Sequence, residues 1–344
     1  MVPENTNLTT DKTLLPDRHP QHDLFICDLG DVVLKDVMQQ MEHPFFALSK
    51  KPDTKVRRYQ NGPHWLEITP SVKGLATIHD KDILIYCISK VMQALRRGEP
   101  VGQRVRLNAH ELLIFTNRGT SGREYLGLME ALDRLEGTRI RTNILTGDEE
   151  QIDGFGLVDA SSIRRKRGLD GRLLWCEIKL SDWVFNAINN NEVLTLHRDY
   201  FRLRKPIERR IYEIARKHCG QQRRWRIGLK KLLLKSGSRS AEKRFRQMIR
   251  ELAAQNHLPD YQITYEPEGD IVAFANRGTM FAGRGDVPAL KPETYSEARA
   301  EAPGWDVHAL ESEWRDWIVE PPRQADRAFV GFCRKWFVRH GRPG

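Results

Sequence analysis

Between residues 80 and 275 apolar side chains follow two spacings, the three-and-four step of an amphipathic helix and the every-other step of a half-buried strand. The order of these segments occurs twice. The first run predicts a helix over Asp82–Arg97, a strand over Val101–Leu107, helices over Ala109–Thr116 and Gly122–Glu136, and a strand over Arg139–Leu145. A hairpin of Ile152–Ser161 with Leu173–Leu180 follows. The second run predicts a helix over Pro206–His218, a strand over Arg224–Ile227, helices over Leu229–Leu234 and Ala241–Asn256, and strands over Gln262–Tyr265 and Ile271–Ala275. Set together at an offset of 120 residues, Val105 meets Trp225, Arg106 meets Arg226, Leu112 to Ile114 meet Leu232 to Leu234, Tyr125 meets Phe245, and Leu132 meets Leu252. The match breaks where Leu126 faces Arg246 and Leu135 faces Gln255. Helix, strand, helix, turn, helix, strands is the order of a winged helix-turn-helix, whose third helix can enter a major groove.

The ends read differently. Residues 1–23 are polar and hold Pro3, Pro16 and Pro20, which predicts a disordered tail without a signal peptide. After Thr279 a linker leads to three helical patterns, Glu293–Glu301, Asp306–Val319 and Gln324–His340. Trp305, Leu310, Trp314, Trp317 and Ile318 give one apolar face there, and Phe329, Phe332, Trp336 and Phe337 another. Such aromatic faces suit either a docking module for a helicase or its loader, or a small structural cap. The expected class is α+β: two tandem winged helix-turn-helix domains with a small C-terminal helical module. The expected division is a tail over 1–23, a first winged unit over 24–195, a second over 196–278, and linker plus module over 279–344.

Charge then singles out one region. The 344 residues carry a formal net charge of +10. From Arg202 to Arg250 there are eighteen Lys or Arg against three Glu, whereas Phe281 to Gly344 holds ten of each sign. A localised excess of this kind is what a polyanion-binding face requires. In the second copy Arg239, Lys243, Arg246 and Arg250 share one arc of a helical projection, with Ala241, Phe245, Met248, Ile249 and Leu252 opposite. Arg239 joins that stripe only if the helix begins before Ala241. Arg223, Arg224, Arg226, Lys230 and Lys231 lie nearby in sequence. Taken alone, a basic stripe also describes a solvated helix face with Glu242 pairing Arg246. In the first copy, Ser121 and Glu124 have capping-box spacing, Gly137 stands at the helix end, and Arg123 and Arg134, off the apolar stripe, are the expected DNA contacts of a second cationic ridge. The run Arg164, Arg165, Lys166, Arg167 sits where the hairpin should turn, the position of a wing against phosphates.

Other chemistry is excluded by what is missing. No phosphate-loop motif occurs, and no His-x-His pair accompanies a tyrosine as a nicking enzyme would need. Tyr200 reads as packing, and Glu149, Glu150 and Asp153 as an acidic turn. Cys27, Cys87, Cys176, Cys219 and Cys333 stand singly, which predicts neither disulfides nor a zinc site. No apolar run approaches a membrane span. The expectation is a cytoplasmic protein without enzymatic activity, cofactor, metal or membrane contact.

Three long stretches, Trp65–Tyr86 (WLEITPSVKGLATIHDKDILIY), His197–Gly220 (HRDYFRLRKPIERRIYEIARKHCG) and Lys235–Tyr261 (KSGSRSAEKRFRQMIRELAAQNHLPDY), resemble the plasmid replication initiator protein A family, of the RepA type. The likeness runs over roughly Leu24 to Gly278 and continues through RGDVPALKPETY and PGWDVHALESEW. That resemblance implies a bacterial protein that binds repeated double-stranded sites in a plasmid origin and opens or bends the adjacent duplex. It further implies recruitment of the host initiator and helicase or loader, homodimer formation through the first unit, and repression of the protein's own promoter. A winged-helix transcriptional repressor without a replication role is the competing reading.

Overall fold

A computed structural model describes residues 14–19, 35–37, 41, 43–49, 51–61, 64–143, 154–165, 173–190, 192–220, 222–277, 290–317 and 324–342. The chain separates into two compact units, Met1–Asn276 and Arg277–Gly344. The first opens with β1 (Lys35–Val37), β2 (Arg57–Asn61) and β3 (His64–Thr69), then α1 (Lys81–Arg96), β4 (Arg104–Leu107), α2 (Ala109–Phe115) and α3 (Gly122–Gly137). β5 (Arg139–Thr142), β6 (Phe155–Gly156), β7 (Val158–Arg165), β8 (Leu173–Leu180), α4 (Asp182–Asn189) and β9 (Val193–Thr195) follow. A 3-10 turn (Arg198–Arg202) leads to α5 (Pro206–His218), β10 (Arg224–Gly228), α6 (Leu229–Ser236), α7 (Glu242–Gln255), β11 (Tyr261–Glu266) and β12 (Ile271–Asn276).

The predicted duplication is present in the topology. α1-β4-α2-α3-β7-β8 and α5-β10-α6-α7-β11-β12 each close an antiparallel three-stranded sheet whose first strand pairs with its third, in the orders β4-β8-β7 and β10-β12-β11. The fold is therefore α+β with two tandem winged helix-turn-helix units. Each has its own apolar core. Ile83, Tyr86, Leu112, Leu128, Leu132, Cys176, Ile178 and Trp183 lie in one; Ile211, Tyr212, Leu232, Phe245, Ile249, Ile263 and Phe274 lie in the other.

The first copy carries insertions that its periodicity does not announce. The strand expected over Arg139–Leu145 beside the winged hairpin is described at Arg139–Thr142, where it joins a separate four-stranded sheet, β2-β3-β5-β6, because β3 offers it a partner strand. Ile140 and Thr142 face inward from it and are fully buried. The short helix α4, capped by the Ser181 hydroxyl accepting from Val184 N at 3.4 Å, packs Trp183 and Val184 into the same core. Ser121 is the N-cap of α3, yet its side chain makes no capping bond. Gly137 is the last residue of α3 and does not end it in a left-handed turn. A Cβ there would lie 2.4 Å from that of Ser71, so its role is to let two backbones approach.

Part of the tail expected to be disordered is ordered. Leu15 N donates to Arg202 O at 2.9 Å, Arg18 N donates to Asn117 Oδ1 at 2.8 Å, and His19 Nε2 lies 2.7 Å from Arg118 O. Residues 14–19 thereby tie the turn after α2 to the start of the second winged unit. Between the two winged units, Asp82 on α1 bonds Arg209 on α5 at 2.6 Å and Arg118 at 3.0 Å, while Lys81 reaches Glu213 at 3.0 Å. Lys81, Asp82, Arg209 and Glu213 are all buried.

In the second compact unit, α8 (Pro292–Glu301), α9 (Val307–Trp317) and α10 (Ala325–His340) enclose Ala298, Leu310, Trp314, Phe329 and Cys333. Trp305, Phe332, Trp336 and Phe337 pack partly buried against that core. Trp305 Nε1 donates to Gly341 O at 2.8 Å, and Arg334 grips Glu301 through two bonds of 2.7 and 2.9 Å. Most of the aromatic side chains considered for docking thus serve this module's own interior. The side chain of Trp317 and all of Ile318 lie outside the described residues.

Candidate nucleic-acid interface

The helix-turn-helix of the second copy is set by a tight turn. α6 stops at Gly237, whose φ of 68° is left-handed, and a Cβ there would meet that of Pro44 at 2.4 Å. Ser238 N then donates to Ser236 Oγ at 3.2 Å and Ser240 N to Ser238 Oγ at 3.3 Å, so serines satisfy the turn's backbone up to α7. Phe245, Ile249 and Leu252 bury one side of α7, which leaves Lys243, Arg244, Gln247 and Arg250 exposed on the other. Glu242 in the first turn complements the helix dipole.

The predicted stripe is only partly that face. Arg239 lies before the helix and pairs with Asp53 at 2.9 Å, though its side chain remains 64% exposed. Arg246 is held away: it bonds Glu242 at 2.6 Å and makes two bonds to Asp270 at 2.9 and 3.0 Å. Those bonds hold the Arg246 guanidinium more firmly protonated than usual and push the Asp270 carboxyl down to about 2. Arg246 is therefore a wing anchor, not a free reader. Arg250 lies over the Tyr265 ring at 4.9 Å, and Tyr265 in turn donates to Asp270 at 2.6 Å. Lys243 keeps the place the sequence predicted for it. Arg244 and Gln247 were missed: Arg244 lies outside the arc shared by Arg239, Lys243, Arg246 and Arg250, and Gln247, beside Lys243 on the helix, carries no charge to mark it.

Around this helix the wing is acidic. Glu266 binds both Arg224, at 2.9 Å, and Arg226, while Glu268 and Asp270 occupy the turn. Arg223, Lys230 and Lys231 are exposed, and Lys230 is close enough to lower the Asp270 carboxyl further. Not all of the basic excess is surface. Arg209, Arg210 and Arg216 are buried, with Arg210 donating to Met41 O at 2.7 Å and Lys235 O at 2.8 Å, and Arg216 to Thr195 O at 2.7 Å.

The first copy shares the fold and not the chemistry. Arg134 is bound bidentately to Asp80 at 2.7 and 2.8 Å, which corrects its assignment as a DNA contact. With Gly127 and Glu130 it lines a charged groove of about 510 Å³ that also contains Arg18, Lys51, Asp82 and Arg209. The outward residues of α3 are Arg123, Leu126, Glu130, Asp133 and Glu136, one cation among three acids. A cationic ridge in each copy was expected; only α7 carries one. Arg164 and Arg165 end strand β7, opposite Trp175 and Leu173. Lys166, Arg167, Glu149, Glu150 and Asp153 lie outside the described residues. Tyr200 is buried and donates to Glu213 at 2.7 Å, a packing role. Among the described residues no helix is long and apolar enough to cross a membrane.

Several known proteins are similar to this chain. The solved structures among them include domains 2 and 3 of RctB, at 16% identity and a TM-score of 0.46, covering 67% of this chain and 94% of that one. They also include the Pi initiator protein in complex with iteron DNA, at 14% identity and a TM-score of 0.38, covering 58% and 93%. A candidate replication protein of Wigglesworthia glossinidia brevipalpis is 39% identical over 276 residues, which are 79% of this chain and 99% of that one. Residues 35–263 match the family model of replication initiator protein A. On the strength of that match and of the long, full-length relative, this chain belongs to the replication initiator protein A family.

Proposed function

We propose that the chain starts plasmid replication by binding repeated double-stranded sites in an origin, with α7 of the second winged unit lying in the major groove. The observation that carries this reading is the open face of Lys243, Arg244, Gln247 and Arg250 on the third helix of a winged unit. Arginine and lysine pair with guanine O6 and N7, glutamine pairs with adenine, and Arg223, Lys230 and Lys231 are suited to flanking phosphates. On this reading residues 196–278 read sequence. Residues 24–195 support that unit, touch the backbone through Arg164 to Arg167, and form a homodimer. Duplex opening, recruitment of host initiator and helicase or loader, and repression of the protein's own promoter complete the proposal. It involves no catalytic step, cofactor or membrane, and the protein acts in the cytoplasm.

Footprinting of the DNA beside the gene tests it. Protection of tandem repeats is expected, and Lys243→Ala, Gln247→Ala or Arg250→Ala should each weaken it by about 1–3 kcal/mol. Protection without sequence preference, or unchanged in all three variants, overturns the assignment of α7. A plasmid carrying only the gene and those repeats should replicate in a suitable host. Failure in several hosts with promoter repression intact would favour the repressor reading.

A further inference from the structure

Both winged units carry an exposed arginine pair in the same place, though the glutamate beside it comes from the central strand in the first copy and from the far edge strand in the second. Arg104 and Arg106 on β4 stand 120 residues before Arg224 and Arg226 on β10, and both strands lie at an edge of their sheets. Alternation sends Val105 and Ile227 into the two cores, so each arginine pair points outward from the face opposite the helices. For each pair another strand of the same sheet supplies one glutamate. Glu177 bonds Arg104 at 2.9 Å; Glu266 bonds Arg224 at 2.9 Å and also Arg226. The side chains of Arg104, Arg224 and Arg226 are 63, 57 and 54% exposed even so. The surfaces of α3 and α7 have diverged in charge, whereas this feature is present in both copies.

We propose that each arginine pair is a second nucleic-acid contact that takes a phosphodiester group, with the glutamate occupying its place until nucleic acid arrives. Two guanidinium groups two residues apart on a strand present parallel donors of the kind a phosphate accepts. Exposed ion pairs contribute little to folding, so a phosphate displaces the carboxylate at small cost. The site does not depend on α7, whose buried side packs on the inner face of the β10 sheet. In the first copy the Arg106 guanidinium lies 4.0 Å over the Trp175 ring, and Lys179 is on the same face. An arginine plane laid over an aromatic ring is itself a surface on which an unpaired base stacks. A single strand released beside the origin and a neighbouring duplex both offer the phosphodiester; Trp175 favours the single strand for the first copy.

The full chain would be titrated, by fluorescence anisotropy, with a short labelled oligothymidylate and with a repeat-free duplex of equal length over a range of salt. Replacing both arginines of a pair by alanine should lower affinity and reduce the salt slope by about 0.7 to 0.9 for each phosphate that is no longer neutralised. Replacing both by lysine should keep the slope, which separates charge from folding. Glu177→Gln and Glu266→Gln should each bind about two- to fivefold tighter, the effect of removing an exposed competing ion pair. Trp175→Ala should weaken the single strand alone; equal loss on both probes reassigns the phosphodiester to duplex. Unchanged affinity and slope in both alanine variants, or glutamine variants that bind no tighter, overturn the proposal. Lys243→Ala should change which sequences are protected and the arginine pairs should not, so the two readings fail separately.

Discussion

At the scale of single residues, the decisive distinction is between a cation that carboxylates hold half-buried and one that still faces solvent. Arg246 and Lys243 lie on the same helix three residues apart, yet Arg246 carries two carboxylate partners and Lys243 faces solvent. The sequence shows Glu242 four residues before Arg246; it does not show Asp270, which reaches Arg246 from a wing turn 24 residues later. Arg134 is lost to Asp80 in the same way, over 54 residues. The apolar side of α7 was legible because burial has a period, whereas charge pairing across the fold has none. The Asp270 carboxyl records the pairing: its pKa falls from 3.8 to about 2 because Arg246 favours the ionised form. A depressed folded value means the contribution to stability is present above about pH 3.8 and is lost as pH falls through about 2. Carboxyl NMR should find Asp270 titrating near 2, and Arg246→Ala should return it toward 3.8. Titration near 3.8 in the unaltered protein would show that the wing is not anchored.

At the scale of elements, the winged units were readable because each helix buries a stripe and each core strand alternates. The helix Pro206–His218 has the bounds its periodicity gives, and α7 differs by one residue at each end. The hairpin of β2 with β3 was missed because residues 57–69 lie outside the repeated pattern and β2, with Tyr59 as its one apolar residue, shows no alternation. The turn between α6 and α7 is where one residue controls two elements. Gly237 combines a left-handed backbone with contact against Pro44, so Gly237→Ala should destabilise the protein by at least about 2 kcal/mol in urea unfolding. Asparagine tolerates the φ but brings the same Cβ, and Gly237→Asn should not restore stability. Recovery by asparagine would mean that Pro44 yields.

Across the two winged units, the chain joins them through buried charge. The basic excess in residues 202–250 was read as surface, yet α5 places Arg209, Arg210 and Arg216 inside the fold. Helical spacing could not reveal this, because their partners are backbone carbonyls and carboxylates from other segments. Asp82 meets both Arg118 and Arg209, so Asp82→Ala leaves a buried guanidinium without its counter-ion and should cost about 3–5 kcal/mol in chemical denaturation. A loss under about 1 kcal/mol would show that Phe201 O and Leu203 O, which also bond Arg209, are enough to hold it. Among the described residues the free cysteines follow the same partition: Cys87 and Cys176 lie in the first core, Cys219 in the second and Cys333 in the C-terminal module. Burial raises each of these thiols above its ordinary range, Cys176 to about 12, so alkylating reagents meet little thiolate while the cores are closed. Peptide mapping after timed alkylation would consequently give three built-in clocks, one for the breathing of each interior, without any label being introduced.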